Sequence, residues 1–118
     1  MERERMGGRS LSELAERYFR RKGYLLEKNV TREGFSGVQR SVDLLIRRGR
    51  EQYPVWIKDW KRTVGINVVI NVDKASEDAG FSRPIIVADK FSDHAKTYAN
   101  RRGIRLLTKA EIIRSLRY

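Results

Sequence analysis

Gln39-Arg-Ser-Val-Asp-Leu-Leu-Ile-Arg-Arg48, Gly49 and Arg50-Glu-Gln-Tyr-Pro-Val-Trp-Ile-Lys-Asp59 form the stretch on which the fold turns. The first segment, Gln39 to Arg48, has a dense apolar centre in Val42 and Leu44-Leu45-Ile46, rich in the side chains that suit a pleated strand. Arg48-Gly49-Arg50 has hairpin-turn chemistry, and Gln52 to Asp59 is expected to return as the partner strand. A hairpin alone is marginal in water and needs apolar surface packed against it. The flanking sequence supplies that surface on both sides.

Upstream, Leu11, Leu14, Ala15, Tyr18 and Phe19 recur at helical spacing over Ser10 to Lys22. Ser10 stands three residues before Glu13, the pattern of a capping box, and Gly23 supplies the stop. Tyr24 to Val30 reads as a strand and Thr31 to Gly37 as a loop. Downstream, Ile66 to Ala79 reads as a helix, although its Val-Val-Ile-Asn-Val run favours strands. Pro84 opens a buried strand, Ile85 to Ala88, and Ser92 caps a helix that turns Ala95, Tyr98 and Ala99 inward and ends at Gly103. Ile104 to Leu107 is a short strand, and Thr108 with Glu111 caps a last helix carrying Ile112, Ile113 and Leu116. The order is helix, three strands, helix, strand, helix, strand, helix. Strands linked first by hairpins and then through helices imply an α/β fold, with a mixed central sheet flanked by helices.

At 118 residues and 40% hydrophobic, the chain has the size and core of one domain, expected to span 1–118 with residues 1–9 as a frayed start. It has no cysteine, which removes disulfides and thiolate metal sites. A single histidine, His94, argues against histidine-rich zinc sites and Ser-His-Asp hydrolysis, and is expected to be an exposed helix residue. No apolar run approaches the ~18 residues of a membrane helix, and the Met1-Glu-Arg-Glu-Arg start is no secretory signal. The expectation is a soluble, intracellular (cytoplasmic) protein with no membrane partner. The formal net charge is +11, with 18 Arg against 8 Lys, and the excess divides as +7 over residues 1–62 and +4 over 63–118. A planar guanidinium fork matches phosphate, so an Arg-led excess spread over the body points to nucleic acid, with an acidic protein partner as the rival.

Two polar residues interrupt the apolar strands. Asp43 within Val42-Asp-Leu-Leu-Ile46, and Lys58 after Val55-Trp-Ile57, are costly there unless paired, hydrogen-bonded or bound to an ion. Adjacent antiparallel strands can bring the two together on one face. A plain Asp43–Lys58 ion pair is one account, and a reactive site is the other. Trp56 and Trp60 should share the face of Lys58, either as core packing or as a platform for nucleobases. Phe35, in the Gly34-to-Gly37 loop, is a further candidate contact.

With Glu13-Leu-Ala15, Gly23-Tyr24, the Asp43 strand and Val55-Trp-Ile-Lys-Asp-Trp-Lys61, the chain resembles the PD-(D/E)XK nuclease superfamily. Within it, the archaeal Holliday-junction-resolvase and Mrr-like restriction-endonuclease branch is the nearest. Pro84-Ile-Ile-Val-Ala-Asp89, Phe91-Ser92, Gly103-Ile104 and Leu106-Leu-Thr108 extend the likeness over residues 10–117. The resemblance implies a restriction-endonuclease-like αβββαβ core plus a C-terminal αβα extension. It also implies Mg²⁺ held by carboxylates, with a lysine beside the attacking water. Carried over, Asp43 and Lys58 are the strand aspartate and the lysine. Glu13 is the helix glutamate, with Glu16 as its alternative and a capping role as the rival account of Glu13. The departure lies two residues before Lys58, where the family has an acid and this chain has Trp56. Asp59-Trp60-Lys61 spells D-x-K one step out of register, so Asp59 joins Asp43 and Glu13 as a candidate metal ligand, if a bulge brings it round. The expectation is therefore a DNA-binding domain with an eroded metal site and little or no cleavage. The alternative is an active Mg²⁺-dependent endonuclease. Arg20, Arg21, Arg47, Arg48, Arg50, Lys61 and Arg62 are the candidate contacts to nucleic acid, with Arg101-Arg102 a further basic cluster. A homodimer is an open expectation, with Ile66 to Ile70 as a candidate apolar edge.

Overall fold

The computed structural model describes residues 9–117. The elements are α1 (Leu11–Arg21), β1 (Leu25–Glu33), β2 (Gln39–Arg48), β3 (Glu51–Lys58), α2 (Ile66–Asp78), β4 (Ile85–Ala88), α3 (Asp93–Arg102), β5 (Arg105–Thr108) and α4 (Lys109–Leu116). Their order is the one expected from the sequence. The expected frayed start lies, through residue 8, outside the described residues.

All five strands form one sheet in the order β1-β2-β3-β4-β5. β1, β2 and β3 are antiparallel, and β3, β4 and β5 are parallel. Two crossovers of the same hand that advance in one direction along a sheet must leave their helices on one face. α2 and α3 do share a face, where Val69, Val72, Ala95 and Ala99 pack on Val42, Trp56, Ile86 and Ala88. α1 and α4 cover the other face, burying Leu14, Phe19, Ile112 and Leu116 against Leu44, Ile46, Val55, Ile85 and Val87.

The helix boundaries follow their caps. Ser10 Oγ accepts from the Glu13 amide at 3.1 Å, while Glu13 Oε1 accepts from the Ser10 amide at 3.0 Å. Thr108 and Glu111 form the same reciprocal box at α4, and Ser92 Oγ accepts from the Ala95 amide at α3. α2 is helical despite its β-favouring composition because Val69 and Val72, three apart, both reach the sheet. Packing outweighs propensities worth a few tenths of a kcal/mol per residue.

Three boundaries correct the sequence-based expectation. β1 starts at Leu25 and continues past Val30 to Glu33, so the expected loop from Thr31 shrinks to Gly34–Val38. Thr31, Arg32 and Glu33 are exposed and polar, and their strand state comes from pairing with Ser41, Arg40 and Gln39. β3 spans Glu51 to Lys58, which leaves Asp59 just beyond the strand. β5 sits one residue later than expected, over Arg105–Thr108.

The pleat of β2 breaks at Asp43. Val42 packs with α2 and α3, yet Leu44, two residues on, packs with α1 and α4. Regular alternation would put both on one face. The β2–β3 ladder runs from Arg48↔Glu51 to Leu44↔Val55 and stops there. On the other side, Asn29 stands across from Asp43 with φ +53, a left-handed backbone that asparagine tolerates better than most residues. Such breaks re-aim side chains, and this one lies beside the candidate site.

Candidate functional site

β3 keeps its alternation. Tyr53, Val55 and Ile57 face the α1/α4 layer, whereas Trp56 packs with the α2/α3 layer. Lys58 follows Trp56 and lines, with Trp60, Arg40, Val68 and Asn71, a cleft of about 320 Å³ between the sheet and α2. The expectation that Trp56, Lys58 and Trp60 share a face is met. Trp56 forms the cleft floor, only 6% exposed, and its indole Nε1 donates to the Ser41 carbonyl at 3.1 Å. The Trp60 ring carries the Lys58 ammonium 5.6 Å from its centroid and the Arg62 guanidinium at 4.4 Å. Aromatic and cationic groups therefore share one concave surface. Such a surface suits stacked bases and a phosphate backbone.

Asp43 is half-buried, and its carboxylate accepts from the Ile57 amide at 2.7 Å. Where the ladder stops, that amide has no β2 carbonyl to meet, and the side chain takes the carbonyl's place. No ion pair joins Asp43 to Lys58 among the described residues, so the simple pair allowed by the sequence is not what balances these two charges. Glu13 is exposed and engaged in the α1 cap. Glu16 lies 3.6 Å from Lys28 and 3.8 Å from Arg20. Asp59 accepts from the Leu11 amide at 3.3 Å, which places its carboxylate at the start of α1, away from the Lys58 side of the sheet. The break in pleat falls on β2, not on β3, so nothing rotates Asp59 onto the face of Lys58.

The acids do not fit a resident divalent metal in this arrangement. Among the described residues no three His, Asp or Glu side chains gather as a metal-holding group. Asp43, Glu13 and Asp59 each spend an oxygen on a different backbone amide. Magnesium sites in proteins draw on carboxylates that converge.

The candidate cations divide by partner. Arg47 lies 3.6 Å from Glu27, Arg20 contacts Glu16, and Arg21 donates to the Leu116 carbonyl at 2.8 Å. Arg48 donates to the Lys22 carbonyl and stacks 4.3 Å from the Tyr24 ring centroid. Arg50, Lys61 and Arg62 are exposed, and of these only Arg62 has a described partner, Trp60. Arg102, one of the Arg101-Arg102 pair, serves the fold: its Nε donates to buried Asp73 at 2.8 Å and its Nη2 to Glu77 at 3.0 Å. Asp73 also accepts from the Tyr98 hydroxyl at 2.8 Å, a bond that pushes the Tyr98 phenol above its ordinary range. His94 is exposed on α3, as expected.

Sequence reasoning missed Arg40 and Asn71 in the cleft, and also the contact that seats the β1–β2 loop. There Asp78, at the end of α2, accepts from the Ser36 amide and hydroxyl, each at 2.8 Å, and from Arg40 Nε at 2.9 Å. These residues are separated by about 40 positions and carry no local pattern. Only the glycine at 34 hinted at a close approach: a Cβ there would run into the Asp78 carboxylate.

The family model of the Mrr catalytic type, described as restriction endonuclease, matches residues 3–116. The fold resembles the crystal structure of AF1548, a protein of unknown function, at 22% identity and TM-score 0.78, covering 89% of this chain and 64% of that one. It also resembles a repair endonuclease from Pyrococcus abyssi, at 21% identity and TM-score 0.54, covering 92% and 49%. An EndoMS–dsDNA complex is similar at 22% identity and TM-score 0.52, covering 92% and 46%. These identities carry the fold alone, and the chain spans less than two thirds of each of these structures. No curated protein matches the chain.

Proposed function

The chain belongs to the Mrr-type restriction-endonuclease family, and from that premise we propose that it binds DNA through a nuclease-like domain whose metal site is degenerate. The observation that carries the reading is Trp56. Its buried indole stands where the family's acid would stand, two residues before Lys58 in the same cleft. An indole N–H is a donor only and cannot ligate a cation. Nucleases of this family typically depend on a divalent metal, and the scattered acids support a loss of that dependence together with the activity. The net charge of +11 and the Lys58, Lys61 and Arg62 cations around Trp60 support DNA as the partner. An EndoMS relative of this fold is known in complex with dsDNA, which agrees with that choice. Half-exposed Ile66 and Ile70 on α2, outside the lining of that cleft, are the surface we assign to a homodimer.

The test pairs binding with cleavage. The protein is expected to shift linear and four-way-junction DNA and to leave both uncut in Mg²⁺ or Mn²⁺ at saturating protein. Removing one electrostatic stabiliser from a hydrolytic site commonly costs ~10²–10³ in rate. Trp56→Glu rebuilds the acid two residues before Lys58 and is expected to give measurable metal-dependent nicking. Efficient cutting by the wild type, abolished by Asp59→Asn and unaffected by Trp56→Ala, would make the protein an active endonuclease using Asp59-Trp60-Lys61. Failure to bind any nucleic acid would move the partner to an acidic protein.

A further inference from the structure

We propose that the cavity at the opposite end of the sheet, where Arg48, Arg83 and Arg105 come together, binds a terminal phosphoryl group. This inference does not rest on the nuclease reading. The cavity holds about 280 Å³ and is lined by those arginines with Tyr24, Tyr53 and Glu51. It lies where β3, β4 and β5 begin, whereas the Lys58 cleft lies where they end. From Tyr53 to Lys58 is about 17 Å of extended strand.

Three features set this cavity apart from a solvated basic patch. First, the arginines arrive from three separate elements, the end of β2, the loop before β4 and the start of β5, so their convergence is tertiary. The three guanidinium groups around so small a volume repel one another, Glu51 offsets only one of the charges, and a bound anion relieves the remaining repulsion. Second, two of the forks are already fixed. Arg48 stacks on Tyr24, donates to the Lys22 carbonyl at 2.7 Å, and lies 3.3 Å from Glu51. Arg105 Nη2 donates to the Tyr18 hydroxyl at 2.9 Å. A guanidinium has five N–H donors, so most of theirs stay available to a ligand at little further entropic cost. Third, Arg83 is exposed, has no described side-chain partner, and sits at φ +55. A non-glycine residue in that region is strained, and such strain gathers at ligand clamps.

The class of ligand follows from charge and size. After Glu51 is counted, the three arginines leave a local charge of +2, which matches a phosphomonoester or diphosphate better than a carboxylate. The volume lies just below the range of whole small-molecule pockets, so it suits a phosphoryl group and its waters more than a complete nucleotide. That group has two possible sources, the phosphorylated end of a nucleic acid or a free polyphosphate.

The experiment titrates the full chain with inorganic pyrophosphate by calorimetry, and separately with matched oligonucleotides bearing a 5′-phosphate or a 5′-hydroxyl. Arg83→Gly removes the guanidinium while suiting the left-handed backbone, so the fold is expected to survive, as a thermal melt will verify. It should weaken pyrophosphate binding about tenfold, the usual scale for a charge-assisted hydrogen bond. Glu51→Gln should strengthen binding several-fold by removing the opposing charge. A 5′-phosphate preference that disappears in Arg83→Gly supports the site and makes a nucleic-acid end the source. Pyrophosphate binding that depends on Arg83 without that preference supports the site with a free polyphosphate. No heat with pyrophosphate, or a binding constant unchanged in Arg83→Gly, would overturn the proposal even if the protein binds DNA through the Lys58 cleft.

Discussion

Asp43 looks in the sequence like a reagent and behaves in the structure like a piece of backbone. Its carboxylate takes the Ile57 amide at the point where the β2–β3 ladder ends. Asp43→Ala leaves that half-buried N–H without an acceptor and is expected to cost ~1–3 kcal/mol in urea unfolding, whereas Asp43→Asn keeps an acceptor and costs less. Equal losses in the two variants would mean that the charge, not the hydrogen bond, matters there. Trp56 is the second residue whose meaning depends on its surroundings. Replacing a buried aromatic by alanine usually costs ~3–5 kcal/mol, and Trp56→Ala should fall in that range because it also orphans the Ser41 carbonyl. A near-neutral melt would place the indole at a surface instead of in the core. Both residues stood out in the sequence as polar or bulky exceptions. What they do was not legible, because it depends on an amide and a carbonyl on neighbouring strands.

At the scale of elements, the β1–β2 loop is seated on the end of α2 through one carboxylate. Asp78 binds Ser36 and Arg40, and Gly34 leaves room for it. Gly34→Ala is expected to lower the melting temperature because its Cβ meets the Asp78 carboxylate. In an Asp78→Ala background most of that loss should vanish, a coupling that a double-mutant cycle measures. Additive losses would show that the glycine serves its backbone and not the contact. The Arg40 guanidinium first, then the Ser36 hydroxyl and amide, hold the Asp78 carboxyl below the ordinary value of 3.8. A depressed carboxylate contributes stability that is fully present above its unfolded value and is lost as pH falls through the lower folded one. The loop is therefore expected to keep its amide-exchange protection at pH 5 and to lose it only below about pH 3.8. Loss near neutral pH would exclude Asp78 as the lock.

For the whole molecule, the charge of +11 overstates what is available to a polyanion. Arg40 and Arg102 hold acids on α2, and Arg47 and Arg20 lie against Glu27 and Glu16. If about six phosphates are contacted, log affinity should fall with log salt at a slope near −5, on the order of a thousandfold between 50 and 200 mM. Lys61→Ala with Arg62→Ala should lower the magnitude of that slope by about two. A salt-insensitive affinity would exclude backbone recognition. The slope is best read in a fluorescence titration, since both tryptophans of the chain lie at the one cleft.

The element order, three of the four N-terminal helix caps and most of the inward stripes were legible in the chain of amino acids alone. Each depends on residues within a turn or two of one another, such as Ser10 with Glu13 or Leu14 with Tyr18. The family resemblance was legible there too, because motif order and spacing are linear properties. The extension of β1 to Glu33, the break at Asp43, the seat of Asp78 and the meeting of Arg48, Arg83 and Arg105 were decided only in three dimensions. The reason is the same in each case: a polar group's partner is chosen by distance in space, and local periodicity records only which side of an element is apolar.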